Sequence, residues 1–291
     1  MKIAALADIH GNYQALLAAV DQVERWKPDL VLVLGDTINR GPRSRECLEM
    51  IQEKERGSGW KVIRGNHEGY VLSFTDPGFP RSGPEFEMRR VIFWTFQSLS
   101  ARQIEDVSNQ PDRLSIGLPN GKLLSGYHAS TAGDRVGIYP DSTTKELEKL
   151  VDHQADLFLV GHTHQPLIRS FQGSTVINVG SVGLPFDGDR RGAYAQIVCA
   201  GDRCRPEIIR FEYDLEAACG DFERSGFLAE GGPLAELVLE ELKLGWPQLN
   251  HWFRRYENRV LQHQIGLPEA AAEFMLNPNI EYRRKGTDGF L

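Results

Sequence analysis

Leu30-Val31-Leu32-Val33-Leu34-Gly35-Asp36 is the stretch that decides the fold of this chain. Five consecutive apolar residues, mostly β-branched or leucine, read as a strand buried on both faces, as parallel strands covered by helices are. A glycine and a carboxylate follow at once. Upstream, Ile3 to Ala7 is a second apolar run that ends on Asp8-Ile9-His10. Between the two runs Asn12 caps a helix whose buried stripe reads as Leu16, Leu17, Val20 and Val23. Downstream, a helix after Pro42 (Cys47, Leu48, Ile51) leads to a third strand, Trp60 to Ile63. The βαβαβ order predicts a parallel sheet with right-handed crossovers, and sites in such sheets lie outside the carboxyl ends of the strands. Asp8, Asp36 and Asn66 all fall at that edge.

Farther along, Phe74 to Pro84 is too rich in Pro and Gly for regular structure, and a helical segment follows around Met88 to Phe96. Short strands come next, near 113–116, 123–127, 157–160, 167–171, 175–179, 193–198 and 207–213, interrupted by a helix over 145–153. Turn residues at short intervals predict a second, largely antiparallel sheet. From Asp214 the chain reads as helical. One stripe is Leu234, Leu237, Val238 and Leu242; the other is Leu249, Trp252, Phe253, Tyr256 and Val260. The expected division is a main unit over 1–213 and a helical extension over 214–291 packed on it. The aromatic helix of that extension is expected to dock on the first unit or on a second copy in a homodimer rather than enter the site. The tail Arg283-Arg284-Lys285-Gly286 reads as solvated.

The 291 residues suffice for a full core, and 41% hydrophobic with 25% charged content is that of a globular protein. A net charge of −7 argues against general nucleic-acid binding and a DNA exonuclease, because no basic field offsets phosphate repulsion. No apolar stretch spans a bilayer. The N-terminal run is too short for a signal sequence, so we expect a cytoplasmic protein. Cys47, Cys199, Cys204 and Cys219 show no CxxC spacing. Cys199 and Cys204 could face each other across a hairpin, but a reducing compartment favours free thiols.

Four segments end on metal-binding side chains: Asp8-Ile9-His10, Gly35-Asp36, Gly65-Asn66-His67-Glu68 and Gly161-His162-Thr163-His164. A separate His128 lies between the last two. Any one of these is weak, since D-x-H or H-x-H arises by chance in a capped turn. Five of the eight histidines fall at or near strand ends, interleaved with glycine. Carboxylate, amide and imidazole groups delivered to several strand ends suit a pair of divalent cations.

In this order the segments resemble the calcineurin-like metallophosphoesterase superfamily. Asn178 to Pro185 and Tyr213-Asp214 are similar to its small bacterial and archaeal branch. The resemblance implies a four-layer α/β/β/α sandwich of two mixed sheets with a dinuclear site between them. It implies that Asp8, His10, Asp36 and His164 hold one cation, that Asp36, Asn66, His128 and His162 hold the other, and that Asp36 bridges. Manganese is the first choice among manganese, iron, zinc and cobalt. The implied reaction is in-line attack on phosphorus by a hydroxide the two cations share, in a phosphodiester or phosphomonoester of a small molecule, nucleotides foremost. His67 would protonate the leaving oxygen or stabilise its charge. Gly35-Asp36-Thr37-Ile38-Asn39-Arg40-Gly41 resembles the G-D-x-V-D-R-G motif of Ser/Thr phosphatases and symmetrical dinucleoside tetraphosphatases. Arg40 then reads either as a phosphate ligand or as a surface arginine in a turn. Asn39 stands where that motif has Asp, and an amide can hold the imidazole of His67 without raising its pKa. Glu68 has no expected role beyond hydrogen bonding at a helix start. Aromatics and arginines from Phe79 to Trp94 read as core packing and solvated faces ahead of a nucleotide lid. The competing readings are a protein phosphatase or dinucleoside-polyphosphate hydrolase, and a metal-stabilised scaffold that binds a protein through its helical tail.

Overall fold

The computed structural model describes residues 1–278. Its first unit is β1 (Lys2–Leu6), α1 (Tyr13–Trp26), β2 (Leu30–Leu34), α2 (Ser44–Ser58) and β3 (Lys61–Ile63). Then come α3 (Asn66–Ser73), α4 (Gly83–Met88), α5 (Arg90–Ser98) and α6 (Ala101–Ser108). The next stretch holds β4 (Arg113–Gly117), β5 (Leu123–Tyr127), α7 (Thr144–Leu150), β6 (Leu157–Val160), β7 (Leu167–Phe171) and β8 (Ser174–Asn178). A long hairpin, β9 (Gly192–Ala200) and β10 (Arg203–Phe211), precedes α8 (Leu215–Arg224), α9 (Phe227–Glu230), α10 (Ala235–Leu244), α11 (Leu249–Leu261) and α12 (Leu267–Met275).

Two five-stranded mixed sheets result, ordered β10-β9-β1-β2-β3 and β4-β5-β6-β8-β7. As β1, β2 and β3 are parallel, the βαβαβ expectation holds. Alternation along β1 explains its double burial: Ile3 and Ala5 face Leu159 and Ile177 of the other sheet, while Ala4 and Leu6 face Leu16 and Val20 of α1. On the far side α7 covers the second sheet, with Leu147 and Leu150 on Phe158 and Val176. The four layers are therefore helix, sheet, sheet, helix.

Several details depart from expectation. The second sheet is not largely antiparallel, because β5, β6 and β8 are parallel at its centre. The hairpin β9–β10 joins the first sheet instead, antiparallel to β1. Turn spacing alone cannot distinguish a hairpin from a crossover. β10 also begins earlier than expected; as an edge strand it can carry Pro206, which has no N–H to donate. Leu17 is 41% exposed, and Ala15 and Ala19 complete the buried stripe of α1 instead. A disulfide joins Cys199 and Cys204, which are registered partners across the hairpin, so the free-thiol expectation fails for this pair. Cys47 and Cys219 are free.

Both expected C-terminal stripes are buried. They form one apolar cluster with Met88, Val91, Leu184 and Phe186, which lie beside the edge where β1, β2 and β3 end. The basic tail around Arg283 lies outside the described residues. Phe79, Phe86 and Phe93 pack around Phe74, with Arg81 over the rings of Phe74 and Phe93, so the aromatics form core and no lid. Arg81 is exposed, as expected, and also donates to Phe74 O at 2.6 Å.

Candidate metal centre

Each ligand candidate leaves the carboxyl end of a strand: Asp8 and His10 after β1, Asp36 after β2, Asn66 after β3, His128 after β5, His162 and His164 after β6. The two sheets face each other, so these ends meet. Asp8, His10, Asp36 and His164 present ligand atoms within 4.8 Å of one another, as do Asp36, His128 and His162. Asn66 joins the second group, its Oδ1 lying 2.8 Å from His128 Nε2 and 3.0 Å from His162 Nδ1. Every candidate thus reaches one place, with Asp36 common to both groups.

The backbone there is unusual. Of ten non-glycine residues with positive φ among the described residues, seven are Asp8, His10, Asp36, Asn39, Arg40, His162 and His164. Left-handed backbone costs an L-residue roughly 1–2 kcal/mol, so the surrounding structure must enforce it. Much of that enforcement comes from Glu68. Its Oε2 accepts from the N–H groups of Asp36 (2.9 Å) and Gly65 (2.8 Å), and its Oε1 from Thr37 (2.7 Å) and Ile38 (3.2 Å). One buried carboxylate so ties the turn after β2 to the turn after β3. The glycines are required by space: a Cβ on Gly35, at φ +91, would lie 2.6 Å from Gly65 N and 2.8 Å from His128 Nδ1. A second brace is Asn178, whose amide donates to Gly161 O and Thr163 Oγ1, both at 2.8 Å. Ser181 donates to Asp8 O at 2.7 Å. The sequence reading gave neither Glu68 nor these two a supporting role; a buried polar residue next to a ligand motif was the available signal.

Hydrogen bonds at the far ring nitrogens fix what the near ones offer. His128 Nδ1 donates to Leu34 O at 2.8 Å, and His164 Nδ1 donates to Leu184 O. Their Nε2 atoms therefore direct lone pairs inward. His128 Nε2 meets Asn66 Oδ1 and, at 3.2 Å, Asp36 Oδ2. His164 Nε2 lies 3.1 Å from His10 Nε2. Acceptors converge on acceptors, and Asp8 Oδ1 is buried with no hydrogen-bond partner. Only a proton or a cation reconciles such a set. Protons do so incompletely: burial and the neighbouring charges hold His10 and His164 well below the usual imidazole range. At His128 burial acts downward too, but Asp36 and Asp8 outweigh it and push the ring up to about 10. Burial drives Asp8 well above the carboxylate range, against the pull of His128. For Asp36 burial also acts upward, and His128 and His67 overcome it to keep the group ionised. The donor set of carboxylate, amide and imidazole fits divalent cations.

Beside this cluster, His67 Nδ1 lies 2.7 Å from Asn39 Nδ2. Because Asn39 Oδ1 accepts from Arg40 N at 2.8 Å, the amide must present its N–H to the imidazole. His67 then carries its proton on Nε2. Burial chiefly lowers its pKa to about 3, and the charge of Arg40 acts the same way. Arg40 is no surface residue: it is 5% exposed and paired with Glu241 of α10. Asn39, Arg40, His67, Met88, Ile92, Leu249 and Phe253 line an apolar cavity of about 20 Å³. The C-terminal helices therefore reach the site, contrary to the sequence expectation.

Comparison with known proteins places this geometry. The uncharacterized protein MJ0912 of Methanocaldococcus jannaschii is 26% identical over 235 residues, 74% of this chain and 89% of its own length. Serine/threonine-protein phosphatase 2 of Escherichia coli is 27% identical over 196 residues, 60% of this chain and 86% of its own. Among solved structures, hypothetical protein PH1004 of Pyrococcus horikoshii shares the fold at a TM-score of 0.71 and 23% identity, covering 84% of this chain and 99% of that one. The calcineurin-like phosphoesterase profile matches residues 1–166, a span that begins before Asp8 and ends just past His164. With every converging side chain inside that span, the chain belongs to the calcineurin-like phosphoesterases, hydrolases that act on phosphoesters.

Proposed function

We propose that this chain is a dinuclear-metal phosphoesterase acting on phosphodiesters or phosphomonoesters of small molecules, nucleotides foremost. The observation that carries this reading is the convergence of Asp36 Oδ2, Asn66 Oδ1 and the Nε2 atoms of His128, His164 and His10 in one buried place. Asp8, His10, Asp36 and His164 would hold one cation, and Asp36, Asn66, His128 and His162 the other, with manganese the expected metal. Such ions supply Lewis acidity and an activated water. The protein's own contribution is orientation and charge. His67 faces the site as a neutral imidazole with its proton on Nε2, so it stabilises charge growing on the leaving oxygen by donating a hydrogen bond. Arg40 supplies a fixed positive charge next to it. We place the protein in the cytoplasm; no helix among the described residues is long and apolar enough to cross a membrane.

The similarity to a serine/threonine phosphatase supports a second reading, a phosphoprotein substrate. The burial of His67 and Arg40 beneath Leu249 and Phe253 favours the small substrate. Metal analysis and turnover of bis-p-nitrophenyl phosphate, p-nitrophenyl phosphate, a nucleotide panel and a phosphopeptide, with manganese or with chelator, separate the two. Asp36→Asn should abolish metal uptake at one position and most activity. His67→Ala should slow alkyl esters far more than nitrophenyl esters, whose leaving oxygen needs little help. Absence of metal-dependent turnover throughout the panel would leave the scaffold reading standing.

A further inference from the structure

Arg40 and Glu241 lie 201 residues apart in sequence, yet their side chains meet at 2.5 Å with 6% and 0% exposure. Burying an ion pair loses hydration that the mutual attraction only partly returns, so this contact is weak evidence for stability and calls for another reason. Glu241 is itself held rigidly. Its Oε1 accepts the N–H groups of Gln248 (2.8 Å) and Leu249 (2.9 Å) at the start of α11, while its Oε2 takes Arg40 Nη1. Asn250 Oδ1 lies 3.4 Å from Arg40 Nη2, and Phe186 sits under the guanidinium at 5.8 Å. Phe186 in turn stacks on the candidate ligand His164 at 4.3 Å. Two amino groups of the planar fork are thus pinned from the C-terminal side, and Arg40 Nε is left buried with no partner.

We propose that Glu241 is a positioning residue: it sets the plane of the Arg40 guanidinium so that its unspent donors, Nε foremost, meet a phosphoryl oxygen at the metal centre. The inference rests on the phosphoesterase reading above. It makes the C-terminal helices part of the working centre, because the carboxylate that orients the arginine comes from α10 and is fixed by α11. A guanidinium binds oxyanions through geometry as well as charge, so an arginine with the same charge and a free torsion binds less well.

The test uses the full-length manganese-loaded protein and inorganic phosphate, titrated by calorimetry and as an inhibitor of p-nitrophenyl phosphate hydrolysis. Glu241→Gln keeps an oxygen for the N–H groups of α11 but turns an amide N–H toward Arg40. Phosphate binding should weaken about tenfold, the scale of one charge-assisted hydrogen bond. KM should rise with it while kcat changes less. In an Arg40→Ala background the same substitution should have no further effect on phosphate. Glu241→Asp, which keeps the charge but falls short of Nη1, gives the same reading if the glutamine variant does not fold. Phosphate affinity within twofold of the parent, an equal loss without Arg40, or tighter binding on release of the arginine would each overturn the proposal. Failure of the underlying reading is distinct: the unsubstituted protein would then neither take up metal, bind phosphate nor turn over any ester.

Discussion

Glu68→Gln is the sharpest perturbation of the centre, because one atom exchange disturbs two turns. In the parent, both carboxylate oxygens are acceptors for buried backbone N–H groups, two each. Glutamine keeps one oxygen, which can serve Thr37 and Ile38. Its amide N–H₂ then faces the N–H groups of Asp36 and Gly65, and two donors confront a donor. Hydrogen bonds to a charged acceptor contribute roughly 1.5–3 kcal/mol each, so the substitution should cost about 3–6 kcal/mol. That is a large share of the roughly 5–15 kcal/mol by which folded proteins are stable. The loss falls on the turn that carries Asp36 at φ 55, the residue common to both ligand groups. Manganese affinity should therefore drop as well, by the 10–100-fold typical when a group supporting a ligand is removed. Urea unfolding of the metal-free protein near neutral pH reads the first quantity, and manganese titration reads the second. Stability within about 1 kcal/mol of the parent together with unchanged manganese affinity would refute the reasoning, since the bonds would then neither hold the turn nor shape the site.

Other substitutions probe separate links. Asn39→Asp places an acceptor against His67 Nδ1, supports the imidazolium that burial now suppresses to about 3, and should move the His67 limb of the pH–rate profile upward; an unmoved limb would dissolve the pairing. Asp221 accepts from Arg43 and Arg224 at 3.0 Å each and joins α8 to the start of α2. Burial acts to raise its pKa, but these partners and Gln14 prevail and lower it. Its folded-state pKa is thus below the unfolded one, so the stabilisation is complete above the unfolded value and fades as pH falls. Asp221→Asn should lose about 1–2 kcal/mol at neutral pH, and the difference from the parent should begin to shrink only below about pH 4, as read by urea unfolding. A difference independent of pH would count against it. The Cys199–Cys204 bond closes a loop of sequence separation 5 inside an existing ladder. Reduction should therefore cost no more than about 2 kcal/mol. The unreduced, unfolded protein should titrate two thiols; finding all four free would remove the bond.

What the sequence by itself determined is local or carried by short motifs. Apolar runs such as Leu30 to Leu34 announce strands buried on both faces, and ligand side chains at their ends announce where a site forms. Amphipathic stripes such as Trp252, Phe253 and Tyr256 announce helices that need a surface to cover. What only the tertiary structure decided depends on pairings across long separations. The hairpin of β9 and β10 could have joined either sheet, and docking beside β1 settled it. Leu17 and Ala19 both fit a helical stripe, and the rotation of α1 against the sheet exposed the larger one. Arg40 read equally as a surface residue or a phosphate ligand until α10 brought Glu241 to it. Glu68 looked like a helix-start residue because its four N–H partners come from two turns that no local periodicity relates. Periodicity records which face is buried; it carries no record of which distant chain covers it, and the chemistry of this centre lies in that covering.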